Sequence, residues 1–258
     1  MIPKIIHQIY WDFYGNSKEI PEKWKNYHNT WKEKFPEPEY THILWDYDKC
    51  RNLIKENYKW FLTTFDNYPK HIQRVDSARY FILYHHGGIY ADLDCECREN
   101  FYTDLDQVNI NVAGNPYGGV VGMNNLMASN KKNKKWLSAF KELEKRKKNV
   151  ATLLSTGPKV LGSLTDKNIK ILDLKEFNPL KERSPVWYYI ENKFFVKLDK
   201  ENMKTWDTAK VVHHGDESWK YEEAYCIIKF YVIPILIILC LLYKMKKSFI
   251  TSSNSKKK

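Results

Sequence analysis

The chain has 258 residues, 43% hydrophobic, 15% aromatic and 28% charged, with ten Gly and ten Pro, a profile that excludes wholesale disorder, a collagen-like rod and a coiled coil. Its net charge of +11 would suggest a nucleic-acid partner if concentrated on one face of a fold. Six lysines (Lys244, Lys246, Lys247, Lys256, Lys257 and Lys258) lie in the last fifteen residues, so residues 1–243 carry only 11 − 6 = +5, and no nucleic acid is expected as a partner.

In chain order, short β-type runs alternate with helical spacings. Ile2–Tyr10 predicts a strand, Trp24, Tyr27, Trp31 and Phe35 recur at helical spacing, and Tyr40–Trp45 is β-like again. Asp46 or Asp48 is placed to cap a helix running through Asn57. Pro69–His86 predicts a helix with Ile72, Val75, Ile82, Leu83 and His86 on one face, ended by Gly87–Gly88 and followed by a strand at Ile89–Asp92. Further strands are predicted at Val108–Ala113, Ile169–Leu172 and Lys210–His213, and Trp136, Phe140 and Leu143 mark a helix whose outer face carries lysines from the Lys131–Lys148 run. Strands alternating with helices predict an α/β fold with a mostly parallel central sheet. Cys50, Cys95, Cys97, Cys226 and Cys240 form no C-x-x-C pair and are expected to be free thiols.

The C-terminal end differs. Tyr225–Tyr243 is broken only by Lys229 and Pro234 and is followed by the lysine tail. About twenty apolar residues span a bilayer core, so this segment is expected to be one transmembrane helix. A buried core helix is the competing explanation, since Phe230–Tyr243 alone has that length. Met1–Trp11 lacks the apolar stretch of a secretory signal. The expected organisation is a folded domain over 1–223, a membrane segment over 225–243 and a basic tail over 244–258; the side of the membrane that carries the folded domain stays open.

Three D-x-D triplets occur, at Asp46–Asp48, Asp92–Asp94 and Asp104–Asp106. Capping explains the first, and the third lies in a polar connection. Asp92 and Asp94 instead follow Gly87-Gly88-Ile89-Tyr90-Ala91, so their carboxylates are expected at the C-terminal end of a strand, where ligands bind in open α/β sheets. Two carboxylates there supply the hard oxygen ligands that a Mg²⁺- or Mn²⁺-type cation takes while bridging a diphosphate. One helix earlier, Asp76 and Arg79 stand at i, i+3 on a shared face; a surface ion pair and a site pair are both consistent with that spacing.

The run Asp76-Ser77-Ala78-Arg79-Tyr80 followed by Gly87-Gly88-Ile89-Tyr90-Ala91-Asp92-Leu93-Asp94 resembles the sugar-binding signature of the D-x-D glycosyltransferases of family 32. The opening Ile2–Trp11 is similar to that family's first strand, and His213-His214-Gly215-Asp216-Glu217-Ser218-Trp219 resembles its closing motif. The resemblance implies a GT-A-type fold, a nucleotide-sugar donor, a divalent metal (Mn²⁺, or Mg²⁺), retention at the anomeric carbon, and transfer of a hexose, mannose favoured, to a glycan or glycolipid acceptor. It places Asp76, Arg79, Asp92 and Asp94 in catalysis. His7, Tyr10, Trp11, Asp76, Arg79, Asp92, Ser218 and Trp219 would bind the donor, and Asp94, Asp92 and either His213 or His214 would hold the metal. Tyr10 stands where the family usually has Trp, and polar and glycine residues follow His213, which leaves the base contact and the choice of histidine open. Thr156-Gly157-Pro158 suggests a helix start with Pro at an early position, and lining of an acceptor site is its alternative. Two rivals remain: a phosphotransferase of the haloacid-dehalogenase type, and a non-catalytic membrane-anchored sugar-nucleotide-binding domain. Metal-dependent donor hydrolysis without acceptor separates the transferase from both.

Overall fold

A computed structural model describes residues 1–13, 15, 19–115, 122–149, 151–164, 169–179, 206–215 and 228–255. The chain divides into two compact units, Met1–Asp216 and Glu217–Lys258.

In the first unit, eight strands are described: β1 (Ile5–Ile9), β2 (Thr41–Trp45), β3 (Gly88–Ala91), β4 (Cys95–Cys97), β5 (Ile110–Ala113), β6 (Met123–Ser129), β7 (Ile169–Ile171) and β8 (Val211–His213). Six form one sheet in the order β2-β1-β3-β6-β5-β7, and β4 pairs with β8 separately. β1 is parallel to β2 and β3, and β5 is parallel to β7, whereas β6 runs antiparallel to both β3 and β5. The sheet is therefore mixed, and β6 is the one of its six strands that the sequence pattern did not indicate, as β4 of the separate pair was not. Met-Asn-Asn-Leu-Met-Ala-Ser contains no β-branched residue and carries two adjacent asparagines, a composition depleted in strands.

Around the sheet lie α1 (Glu22–Lys34), α2 (Tyr47–Asn57), α3 (Lys59–Asp66), α4 (His71–His86), α5 (Trp136–Arg146), α6 (Thr152–Ser155) and α7 (Leu174–Phe177). Asp46, rather than Asp48, caps α2, its Oδ1 accepting from the Lys49 amide at 2.8 Å. Strand alternation divides the interior into two apolar cores. Tyr90, Met127 and Val112 point into one, with Phe61, Phe81 and Trp136; Ile89, Ala91, Leu126 and Ala128 point into the other, with Trp31, Phe35 and Phe101.

α4 departs from the single apolar face that its spacing suggests: ten of its residues, including Gln73, Asp76 and Arg79, are buried, so it is enclosed on all sides. It ends at Gly87, whose amide donates to the Leu83 carbonyl at 2.9 Å. Gly87 and Gly88 take φ of +70° and +98°, and a Cβ on Gly88 would stand 2.5 Å from the Ile5 carbonyl oxygen. Only glycine turns the chain from α4 into β3 this close to β1.

In the second unit, residues 225–227 lie outside the described residues, Ile228–Val232 forms a π-helical turn, and α8 runs over Ile233–Ser255. Among the described residues, which hold only part of the expected span over 225–243, no helix is long and apolar enough to cross a membrane. α8 is apolar only as far as Tyr243, beyond which Lys244, Lys246 and Lys247 enter. Within that apolar part Ile235, Leu236, Ile237, Ile238, Leu239, Leu241 and Leu242 are all exposed.

Candidate active site

The site is assembled where α4, the end of β3, β6 and β8 meet. Arg79 is 2% exposed at its side chain and forks between two carboxylates: Nη2 lies 2.6 Å from Asp76 Oδ1, and Nη1 lies 3.2 Å from Asp92 Oδ1. Nη1 also donates to the Asn124 carbonyl at 2.8 Å, and the guanidinium carbon lies 5.0 Å from the centre of the Tyr90 ring. The pair at i, i+3 is therefore not a surface ion pair. One cation in the interior neutralises two acids contributed by two different elements, a geometry that the planar guanidinium supplies and an ammonium does not.

Asp76 is held from three sides, by Arg79, by Thr156 Oγ1 donating to Oδ2 at 3.0 Å and by Asn124 Nδ2 at 3.5 Å. Burial nevertheless pushes its pKa up to about 6 against the pull of Arg79. Asp92 accepts from the Tyr90 hydroxyl at 2.6 Å, and burial raises its pKa, opposed by Arg79. Asp92 and Asp94 do not continue the strand as their spacing suggests. They lie in a turn closed by the Cys95 amide donating to the Asp92 carbonyl at 3.0 Å, so Asp92 meets Arg79 while Asp94 meets His213.

His213 ends β8, which pairs with β4 so that His213 stands opposite Cys95. Its Nε2 lies 3.3 Å from Asp94 Oδ1. Burial disfavours the charged ring, yet the Asp94 carboxylate outweighs it and raises the His213 pKa to about 9. A proton here provides the positive charge that this acidic corner demands, and a divalent cation would meet the same demand. Ligands ~2.1 Å from a six-coordinate cation sit roughly 3 Å apart, so the Asp94–His213 separation fits one, with Asp92 next in line. Cys95 Sγ completes a cluster with Asp94 and His213 whose ligand atoms lie within 4.8 Å of one another, but burial holds this thiol well above its ordinary pKa and leaves the oxygen and nitrogen donors to a hard cation.

His214 is directed elsewhere: its Nε2 lies 2.9 Å from Glu96 Oε2, and its ring stacks on Tyr27 with centroids 4.2 Å apart. Of the two histidines, the one facing Asp94 is His213. His7 is fully buried, with Nε2 2.8 Å from the Gly87 carbonyl and Nδ1 accepting from Trp45 Nε1 at 3.1 Å. Both of its ring nitrogens are occupied within the protein, which makes His7 a brace for the glycine turn. Tyr10 and Trp11 are half-buried just beyond β1; Tyr10 meets Trp24 edge-on, and Trp11 Nε1 donates to His71 Nδ1 at 3.4 Å. Ser218 and Trp219 lie outside the described residues. Two participants were assigned no site role from the sequence, Asn124 on the unrecognised β6 and Tyr90 within β3, and Thr156, offered there for an acceptor site, instead meets Asp76, 80 residues away in the chain.

Comparison with known proteins follows the same lines. The ligand-free glycosyltransferase domain from the YGT toxin superposes with a TM-score of 0.50 at 10% identity over 67% of this chain and 80% of that one, a likeness of fold alone. The fold is thus that of a GT-A-like glycosyltransferase domain, α/β with a mixed, mostly parallel sheet. The sequence profile of the family described as glycosyltransferase sugar-binding region containing DXD motif matches residues 21–113. Inositol phosphoceramide mannosyltransferase 2 of Schizosaccharomyces pombe is 38% identical over 65% of this chain and 47% of its own length. Mannosyl phosphorylinositol ceramide synthase SUR1 of Saccharomyces cerevisiae is 33% identical over 82% of this chain and 54% of its own. The chain spans about half the length of these curated relatives.

Proposed function

We propose that this chain is a membrane-associated, metal-dependent glycosyltransferase that moves a hexose, mannose favoured, from a nucleotide sugar to a glycolipid acceptor, with retention at the anomeric carbon. The observation that carries the reading is the buried Arg79 fork between Asp76 and Asp92, set beside the Asp94–His213 pair at the D-x-D turn. In this reading Arg79 meets a donor phosphate, Asp76 accepts from a hydroxyl of the transferred sugar, and Asp92 faces the donor next to the cation. Asp94 and His213 hold the cation, Mn²⁺ before Mg²⁺. Cleaving a sugar–phosphate bond loads negative charge on the departing diphosphate, which Arg79 is placed to stabilise, and a divalent cation held by Asp94 and His213 would supply further positive charge there. Tyr10 and Trp11, just beyond β1, are assigned to the donor, as are Ser218 and Trp219.

The acceptor class rests on the two fungal relatives, whose names specify inositol phosphoceramide and mannosyl phosphorylinositol ceramide. The exposed apolar part of α8 and its lysines support attachment to a lipid surface. The test is transfer of labelled mannose from GDP-mannose with Mn²⁺ to inositol phosphoceramide in vesicles. Product sensitive to chelation supports the reading. Donor hydrolysis without transfer would reject the acceptor class, and neither reaction with any nucleotide sugar would reject the reading as a whole.

A further inference from the structure

We propose that Thr156 is a positioning residue that sets the sugar-binding face of the site by fixing the rotation of Asp76, an inference that rests on the donor site proposed above. A carboxylate accepts up to four hydrogen bonds, two on each oxygen. Asp76 Oδ1 is filled by Arg79 Nη2 at 2.6 Å and by Asn124 Nδ2 at 3.5 Å, whereas Oδ2 takes one described bond, from Thr156 Oγ1 at 3.0 Å. One acceptor direction on Oδ2 is left over, and Thr156 decides where it points.

Thr156 is itself held without freedom. It is fully buried, its amide donates to the Thr152 carbonyl at 3.1 Å, and its own carbonyl accepts from the Tyr80 hydroxyl at 3.0 Å. The same hydroxyl reaches the Gly157 carbonyl at 3.3 Å, and Gln73 Nε2 donates to Ser155 Oγ at 2.7 Å. Gln73, Asp76 and Tyr80 stand at i, i+3 and i+7 on one face of α4, so three consecutive side chains of that face grip residues 155–157. Tyr80 and Gln73 seat the segment, and the Thr156 hydroxyl passes that rigidity to the carboxylate.

The consequence is specific to the sugar. Asp76 is assigned to a sugar hydroxyl and Arg79 to a phosphate, and Arg79 keeps Asp92 and the Asn124 carbonyl whatever happens at Oδ2. Loss of the Thr156 hydroxyl therefore weakens binding of a nucleotide sugar while sparing the parent diphosphate. The experiment is calorimetric titration of the full chain, with Mn²⁺, by GDP-mannose, UDP-glucose and UDP-galactose and by GDP and UDP. Thr156→Val, which keeps shape and removes the hydroxyl, is expected to weaken the nucleotide sugar about tenfold or more, the scale of one bond to a charged acceptor, and to leave the diphosphate within about twofold. Thr156→Ser, which restores the hydroxyl, is expected to bind as the parent does. Thr156→Ala gives the same comparison with a smaller side chain should the valine variant misfold. Equal weakening of sugar and diphosphate, no weakening of either, or failure of serine to restore binding would each overturn the inference while leaving the proposed function standing. A parent chain that binds none of the five ligands would overturn the proposed function and this inference together.

Discussion

Replacing Arg79 by lysine keeps the charge and removes the fork. The guanidinium reaches Asp76 at 2.6 Å, Asp92 at 3.2 Å and the Asn124 carbonyl at 2.8 Å from a side chain that is 2% exposed. A single ammonium cannot stand at both carboxylates, so about two of these contacts are lost, each worth ~1.5–3 kcal/mol where a charged group takes part. Asp92 is 24% exposed, and water recovers part of its share, so the expected loss is about 2–4 kcal/mol. For a unit of this size that lowers Tm by roughly 5–10 °C. Arg79→Met leaves two buried acids without their cation and is expected to lose more, about 3–5 kcal/mol at pH 7. Part of that loss should return at pH 5. Asp76 already has its pKa pushed up to about 6, above its unfolded value, and losing the cation raises it further; such a group favours the folded state at low pH and loses that contribution as pH rises through the folded value. The assay is thermal unfolding of the three proteins at pH 5 and 7, together with donor kinetics, where Arg79→Lys is expected to lose at least about tenfold in kcat/KM. A lysine variant that melts within about 1 °C of the parent with unchanged kinetics would refute the reasoning, because only a solvated pair tolerates that change.

Three further outcomes are expected. Asp94→Asn abolishes metal-dependent turnover and also lowers Tm at pH 7, because it removes the carboxylate that holds the His213 charge, whereas Asp106→Asn, whose amide oxygen still accepts from the Val108 and Asn109 amides, spares turnover; activity and melting measured in parallel check it, and equal loss of activity in the two variants would reject Asp94 as a ligand. Stability falls as pH drops below about 6.5, because burial lowers the His7 and His28 pKa values to about 3 and about 4 and the unfolded chain takes up protons that the folded chain refuses. His85, lowered to about 4, adds to this fall, while Asp76, pushed up to about 6, and His213, raised to about 9, offset part of it; urea unfolding at pH 5 and pH 7 checks the fall, and a flat profile would contradict the burial of these rings. A chain ending at Glu223 stays in solution without detergent and retains donor hydrolysis while losing activity on vesicle-borne acceptor; aggregation on truncation would show that the apolar segment belongs to a core instead.

Much of this architecture is legible in the sequence because local chemistry dictates it. Trp31 and Phe35 at helical spacing, Asp46 before α2, and Gly87–Gly88 between α4 and β3 each announce an element by residues that few other conformations accept. The D-x-D turn, with Asp76 and Arg79 one helix earlier, was visible for the same reason. Contacts set by distant chain crossings were not. β6 hides because its asparagines are buried by partners elsewhere: Nδ2 of Asn124 donates to the Tyr80 hydroxyl at 3.1 Å, and its carbonyl accepts from Arg79. Thr156 carries no mark of its partnership with Asp76 until the segment after α6 is packed against α4. The two acids of the D-x-D triplet were expected to point alike, and a turn at Leu93 gives them different partners, which strand alternation cannot anticipate.

The proposed donor site is one corner of the fold, formed by Arg79, Asp92, Asp94 and His213. Hydrolysis of GDP-mannose, UDP-glucose and UDP-galactose by the full chain, each with Mn²⁺ and with chelator, tests that assignment most directly. The account predicts release of free sugar from one donor, dependent on the cation and absent in Asp94→Asn. Hydrolysis that persists in chelator and in Asp94→Asn, or no hydrolysis of any of the three, would contradict it.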